Sequence, residues 1–326
     1  MLLPVWNAAA TLPAAVDSVR NQTFQDWELL VVDDGSTDES PEIAGKLARE
    51  DARIRTLHTP HRGIVAALNT AAEAARGRLL ARMDADDLSL PHRLEAQRAL
   101  LEADPGIGLC GGVVRITGEP VGSGARRYEA WVNGLLTHRE IVREILVECP
   151  VPHPTFLMPK ALFEELGGYR DCGWPEDYDL VLRVWRAGRR FAKPSVPVLE
   201  WRDHGRRLSR TDPRYAEAAF RRCKRHYLAE SGLWDGRRFF QWGAGEVGKR
   251  WLREWETLRP EAVVDINPRK IGRTIHGTPV IAPPDLPPPD GVFVVAAVGT
   301  PGARDDIRTR LLPRGYAEGE DFLFLA

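Results

Sequence analysis

A chain of 326 residues with 43% hydrophobic content and a formal net charge of −1 has the composition of an ordinary globular protein long enough for two domains. Its near neutrality excludes the overall electrostatic attraction of a nucleic-acid-binding protein. Cys110, Cys149, Cys172 and Cys223 form no Cys-x-x-Cys pair, which argues against zinc or a redox motif and fits a reduced, cytoplasmic setting. No stretch reaches the roughly 18 apolar residues that suggest a membrane span, and no basic segment followed by a secretory apolar core stands at the start. The first hundred residues alternate short apolar runs with helix-like segments, the pattern of an α/β domain with a mostly parallel sheet. Strands are expected at 2–5, 27–32, 54–58, 79–83 and 108–114, and helices at 12–21, 39–50, 64–75 and 91–103. Ser36-Thr37-Asp38-Glu39 offers side-chain oxygens to cap the second helix.

A second α/β pattern begins near Arg237, with strands expected at 238–242, 262–265, 292–298 and 322–325 and helices at 249–257 and 304–312. The junction at 231–236 divides the chain into domains 1–232 and 236–326. Gly243, Gly245 and Gly248 form a Gly-x-Gly-x-x-Gly turn between strand and helix, and Asp265 follows Gly243 by 22 residues. That is the context of a dinucleotide fingerprint, in which glycines admit a phosphate and an acid reaches a ribose. About 90 residues leave little room for a second nucleotide half, so the segment reads as a Rossmann-like nucleotide-binding or assembly module rather than a working dehydrogenase.

In parallel sheets ligands bind beyond the C-terminal strand ends. Here those ends carry Trp6 and Asn7, then Asp33-Asp34-Gly35-Ser36, then Asp84-Ala85-Asp86-Asp87. Three carboxylates in four residues repel one another unless a cation neutralises them, and oxygen-only ligation suits Mg²⁺ or Mn²⁺. A solvated acidic loop is the alternative.

Leu3-Pro4-Val5-Trp6-Asn7-Ala8, Glu28 through Asp38, Arg62-Gly63-Ile64, the Asp84 turn, Gly167-Gly168-Tyr169 and Glu176-Asp177-Tyr178-Asp179 occur in this order across about two thirds of the chain. This set resembles family 2 glycosyltransferases of the GT-A fold. The resemblance implies a GT-A domain with a mostly parallel mixed sheet, a nucleotide-diphosphate sugar as donor (a UDP-sugar by default), and inverting transfer to a glycan, lipid-linked or other hydroxyl acceptor. It places Pro4, Trp6, Asn7, Asp33, Asp34, Arg62 and Asp84 around the donor, and Asp86 with His204 on the metal. Asp177 becomes the general base, and Trp174, Glu176 and His153 line the acceptor side. Arg206 or Arg207 would meet phosphate oxygens. The first strand starts with fewer apolar residues than is usual in that family.

Two other classes share parts of this pattern. A non-catalytic sugar-nucleotide sensor would bind donor without turnover, and an NAD-linked sugar-modifying protein would work through the C-terminal glycines. A nucleotidyltransferase would need a glycine- and basic-rich triphosphate loop, which residues 2–10 do not provide. Between Arg202 and Arg238, eleven Lys/Arg face five acids, a local excess that suits a phosphorylated ligand, peripheral membrane contact or a solvated helix face. The oligomeric state is not fixed by the sequence.

Overall fold

Leu29–Asp33 is buried at every residue, as expected of a strand covered on both faces. The computed structural model describes residues 1–118, 121–205, 207–255 and 258–326. They group into two units, Met1–Ile141 with Pro150–Cys223, and Val142–Cys149 with Lys224–Ala326.

The strands of the first unit are β1 (Leu2–Val5), β2 (Leu29–Asp33), β3 (Ile54–His58), β4 (Leu79–Ala81), β5 (Leu88–Ser89), β6 (Ile107–Cys110), β7 (Val113–Thr117), β8 (Leu157–Pro159), β9 (Arg190–Ala192) and β10 (Pro197–Arg202). β1, β2 and β3 pair in parallel. Leu2 bridges Arg82 in parallel, which brings β4 alongside β1. β8 lies antiparallel between β4 and β6, β6 is parallel to β9, and β10 lies between β5 and β7 in a second layer. The helices Leu12–Arg20, Ser40–Glu50, Ile64–Ala74 and Arg93–Ala103 alternate with these strands, so the mostly parallel α/β architecture expected from the sequence is present. Ile64–Ala74 buries Ala67, Leu68, Ala71 and Ala72, one face at helical spacing.

The strand expected at 108–114 is two strands, broken at Gly111-Gly112. A Cβ on Gly111 would collide with Val151, and one on Gly112 with Val198, so the chain turns where only glycine fits. The capping segment works through Asp38, whose Oδ1 accepts the N–H of Ser40, the first residue of the helix, at 3.0 Å, while Glu39 at the N-cap makes no side-chain cap; in addition Ser36 Oγ accepts the Asn7 N–H at 2.9 Å and Asp38 accepts the Ala9 N–H at 3.0 Å. The segment thus caps the helix and also fixes the loop after β1.

Glu28 ties the start of β2 to the end of the helix Ile64–Ala74. It accepts the Gly77 N–H at 3.1 Å and pairs with Arg55 at 2.9 Å. Desolvation pushes its pKa up, but hydrogen bonds from Arg76, Arg55 and Gly77 outweigh it, and the folded carboxyl titrates below its ordinary value. A depressed folded pKa stabilises the fold above the unfolded value and loses that contribution as pH falls through the folded one. Glu28→Gln is therefore expected to cost about 1 kcal/mol near neutrality, with the deficit shrinking below about pH 4. Urea unfolding at both pH values checks this.

In the second unit β11 (Arg238–Trp242), β12 (Ala262–Val264), β13 (Thr274–Ile275), β14 (Thr278–Ile281), β15 (Val292–Ala296) and β16 (Phe322–Phe324) form one sheet in the order β13-β14-β12-β11-β15-β16. It is parallel except for the β13–β14 hairpin. The helix after the glycine turn starts at Glu246, three residues earlier than expected, and Gly248 lies inside it. A Cβ on Gly248 would collide with the Gly243 carbonyl, so glycine there sets how closely the helix approaches the sheet. Phe240, Trp242, Val264, Val294, Ile307, Leu311 and Phe322 form the core, with Val147 packed against it. Glu144 is buried and is held by Arg304 at 2.6 Å and Arg308 at 3.1 Å.

Candidate functional site

The C-terminal ends of β1, β2 and β4 carry the polar groups of the first unit. Trp6 is 56% exposed and stacks on His61, with ring centroids 4.6 Å apart. Asn7 adopts a left-handed conformation (φ 52°), which asparagine tolerates, and accepts the Thr37 N–H at 2.8 Å. Pro4 sits on β1, paired with Val32. Asp33 and Asp34 are buried. Asp34 accepts the backbone N–H groups of Arg62 and Gly63 at 2.9 and 2.8 Å, and so shapes the loop that presents His61. The Asp33 carboxylate accepts from Ser36 N–H at 3.3 Å and faces His58 at 3.4 Å. The Arg62 side chain is exposed.

The acidic turn closes on itself. Ligand oxygens of Asp84, Asp86 and Asp87 lie within 4.8 Å of one another. His204, 118 residues away, meets Asp86 through Nε2 at 2.6 Å. Arg82 is buried and forms a two-pronged ion pair with Asp84 at 2.6 and 2.5 Å. Asp87 accepts the Arg202 N–H at 2.9 Å, fastening the turn to β10. Its other oxygen, Oδ2, is buried without a hydrogen-bond partner among the described residues. Burial, Asp84 and Asp86 together raise the Asp87 carboxyl well above the usual range. Arg207 stacks on Trp201 at 4.3 Å, and Arg206 lies outside the described residues.

This donor set fits a hard divalent cation. It offers carboxylate oxygens of a single turn with one imidazole brought beside them from a distant segment, and it holds a buried carboxylate oxygen that lacks a donor among the described residues.

The helix Glu176–Arg186 begins beside a second polar group. Pro175 holds an extended N-cap, and Glu176 and Asp177 fall in the first turn. Glu176 is fully buried and accepts the Tyr215 hydroxyl at 2.8 Å; desolvation raises its pKa although that hydrogen bond pulls the other way. His153 lies 3.6 Å from Glu176 and 2.9 Å from the Tyr169 hydroxyl. Burial, with Arg82 nearby, holds the His153 imidazole well below its ordinary pKa and hence neutral. Asp177 is half-buried, with Oδ1 on the Tyr178 N–H at 2.7 Å. Trp174 donates its indole N–H to Asp179 at 2.9 Å, and Asp179 in turn holds Arg183 at 2.7 Å.

Arg82 acts electrostatically on Tyr169, His153 and Glu176 as well as on Asp84, so one buried guanidinium serves both groups. The sequence does not single out Arg82, His61 or Tyr215. An arginine in an apolar strand two residues before three carboxylates is a usable signal for Arg82. Tyr215 has none, because its partner lies 39 residues away. The basic stretch after Arg202 is largely spent within the protein: Arg210 pairs with Asp203, Arg214 with Asp212, Arg221 with Glu217 and Arg238 with Glu261.

Among the described residues no helix is long and apolar enough to cross a membrane. In the second unit Gly243, Gly245 and Asp265 border one cavity, whereas Gly248 is packed inside the helix.

The chain is similar to known proteins in sequence and in fold. The chain is 27% identical over 244 residues to an uncharacterized glycosyltransferase of Haemophilus influenzae, covering 72% of this chain and 75% of that protein. It is 31% identical to the putative glycosyltransferase EpsE of Bacillus subtilis, over 58% of this chain and 67% of that one. In fold it is similar to S. aureus TarS 1-349, solved in complex with UDP-GlcNAc, with TM-score 0.57, 16% identity, and coverage of 72% of this chain and 66% of the other. The sequence profile described as glycosyl transferase family 2 matches residues 1–167, more than half of the chain and the part that carries the acidic turn, and the chain belongs to that family.

Proposed function

We propose that the first unit is a metal-dependent, inverting glycosyltransferase that moves a sugar from a nucleotide-diphosphate donor to a hydroxyl of a glycan, lipid-linked or related acceptor. The observation that carries this reading is the convergence of Asp84, Asp86 and Asp87 with His204 at one sheet edge. Asp86 and His204 would hold Mn²⁺ or Mg²⁺, which when bound supplies positive charge to the departing diphosphate. Trp6 offers a face to the base, with Pro4 and Asn7 beside it, and Asp33 and Asp34 hold the loops around it. Asp84 faces the ribose, and Arg62 extends toward the donor.

The acceptor oxygen attacks the anomeric carbon from the face opposite the diphosphate, the bond to the diphosphate breaks, and the hydroxyl proton passes to the Asp177 carboxylate. Glu176 and His153 shape the acceptor side from within the protein, and Trp174 borders it. A UDP-sugar is the first donor to test, since TarS was solved with UDP-GlcNAc. No disulfide joins Cys110, Cys149, Cys172 or Cys223 among the described residues, in keeping with work in a reducing compartment such as the cytoplasm.

A thermal-shift screen against nucleotide sugars, with and without Mn²⁺, followed by an assay for nucleotide release on the hit, tests the reading. A Mn²⁺-dependent shift with turnover supports it; stabilisation without turnover on any acceptor favours a sensor. Within the same assay Trp6→Ala is expected to weaken the donor about tenfold, because stacking on an aromatic contributes about 1–3 kcal/mol per base. An unchanged donor Kd would remove Trp6 from the base pocket.

A further inference from the structure

The second unit holds a cavity of about 810 Å³ bordered by Gly243, Gly245, Asp265, Ile266, Lys270 and Thr300. It lies beyond the C-terminal ends of β11, β12 and β15. β11 stands between β12 and β15, so the chain builds the sheet outward on one side of β11 and then returns to its other side. That reversal is where open parallel sheets leave a crevice for ligands.

The three glycines of the turn do different things. A Cβ on Gly243 would lie 2.7 Å from the Ala297 carbonyl oxygen, and one on Gly248 would collide with Gly243, so both are required by the fold. Gly245 is not. Its φ of −81° suits any residue, and a Cβ there would meet nothing within 4 Å. Packing within the protein does not require glycine at this point of the cavity wall, and its absent side chain leaves room for something from outside.

The same wall carries the start of the helix Glu246–Glu254, whose N-cap Gly245 supplies no side-chain cap for the first N–H groups. The acids around the cavity are each offset. Asp265 contacts Lys270 at 3.1 Å and accepts the Ala244 and Asn267 N–H groups at 2.8 Å, so it positions the turn. Glu246 pairs with Lys249 and Asp306 with Arg310. Lys270 keeps partial exposure, and Ile266, next to Asp265, is 57% exposed at the rim. An anionic group against Gly245 and Lys270, joined to a flat apolar group over Ile266, matches this wall. Beyond β11 the sheet continues only through β15 and β16, with the single α-helix Ala303–Leu311 between them among the described residues. Among the described residues these elements build a single nucleotide half.

We propose that this cavity binds one nucleoside diphosphate, independently of any metal at the acidic turn, with its diphosphate at Gly245 and Lys270 and its base over Ile266. Equilibrium dialysis of the full chain with radiolabelled ADP, GDP and UDP, in EDTA, tests it. The expected result is about one equivalent of one of the three bound in EDTA, retained in Asp86→Ala and weakened at least tenfold in Gly245→Val. Lys270→Ala, which leaves the turn's backbone unaltered, is expected to weaken it about fivefold and serves if Gly245→Val fails to fold. The proposal is overturned if none of the three binds in EDTA, if Gly245→Val and Lys270→Ala bind as well as the parent, or if Asp86→Ala abolishes the binding. Tighter binding of NAD than of any nucleoside diphosphate would also overturn it.

Discussion

Asp86→Ala is expected to lower metal-stimulated sugar transfer by about 10²–10³-fold or more, the range seen when one group aimed at developing negative charge is removed. In the proposed reaction the diphosphate leaves as an anion, and the acidic turn is where the chain would hold compensating charge beside it. Asp86 is half-buried and touches His204 at 2.6 Å, so in the proposed site its loss would remove one ligand and leave the other unsupported. The fold should survive. Three clustered carboxylates repel one another, and deleting one relieves the buried Asp87, so the melting temperature of the metal-free protein should hold or rise. Transfer rates measured across a Mn²⁺ titration decide the matter, and undiminished turnover in folded Asp86→Ala would take this residue out of the reaction.

Asp177→Asn is expected to reduce transfer by about 10²–10⁴-fold, the usual contribution of a positioned general base, while leaving donor affinity unchanged. Asparagine preserves the shape and can still accept the Tyr178 N–H that Asp177 Oδ1 receives at 2.7 Å. It cannot take a proton from a hydroxyl. Donor Kd by calorimetry, alongside transfer rate, separates this outcome from a general loss of structure. Glu176, one residue earlier, differs physically: it is fully buried beneath Tyr215 and has no route to an acceptor except through packing. Equal loss of donor binding and transfer in Asp177→Asn would mean that Asp177 organises the helix start rather than receiving a proton.

The parts of the fold that depend on local pattern could be read from the sequence. β1 and β3 run over the expected residues, and β11 lies where an apolar run precedes a glycine turn. The acidic turn, with His204 as its distant partner, was also legible once the motif order was recognised. What was not legible depends on close approach between distant segments. Gly111-Gly112 splits a strand because Val151 and Val198 crowd it. The β13–β14 hairpin is too short for a periodic signal. Asp34 is spoken for by the Arg62 and Gly63 amides, and His61 stacks on Trp6, because a loop nearly thirty residues downstream folds back over β2.

Val142–Cys149 belongs to the second unit although it lies in the middle of the chain. Glu144 is therefore translated 160 and 164 residues before Arg304 and Arg308, two of the guanidiniums that hold it; another, Arg143, is its neighbour in the chain. At about 5–20 residues per second that interval is roughly ten to thirty seconds on the ribosome. During it Val147, which packs against the core of the second unit in the finished protein, lacks the late members of that core, Phe322 and Phe324. The core of the second unit is complete only once its last strand, Phe322–Phe324, has been made. Folding of this unit is thus expected to lag the synthesis of Val142–Cys149 by that interval.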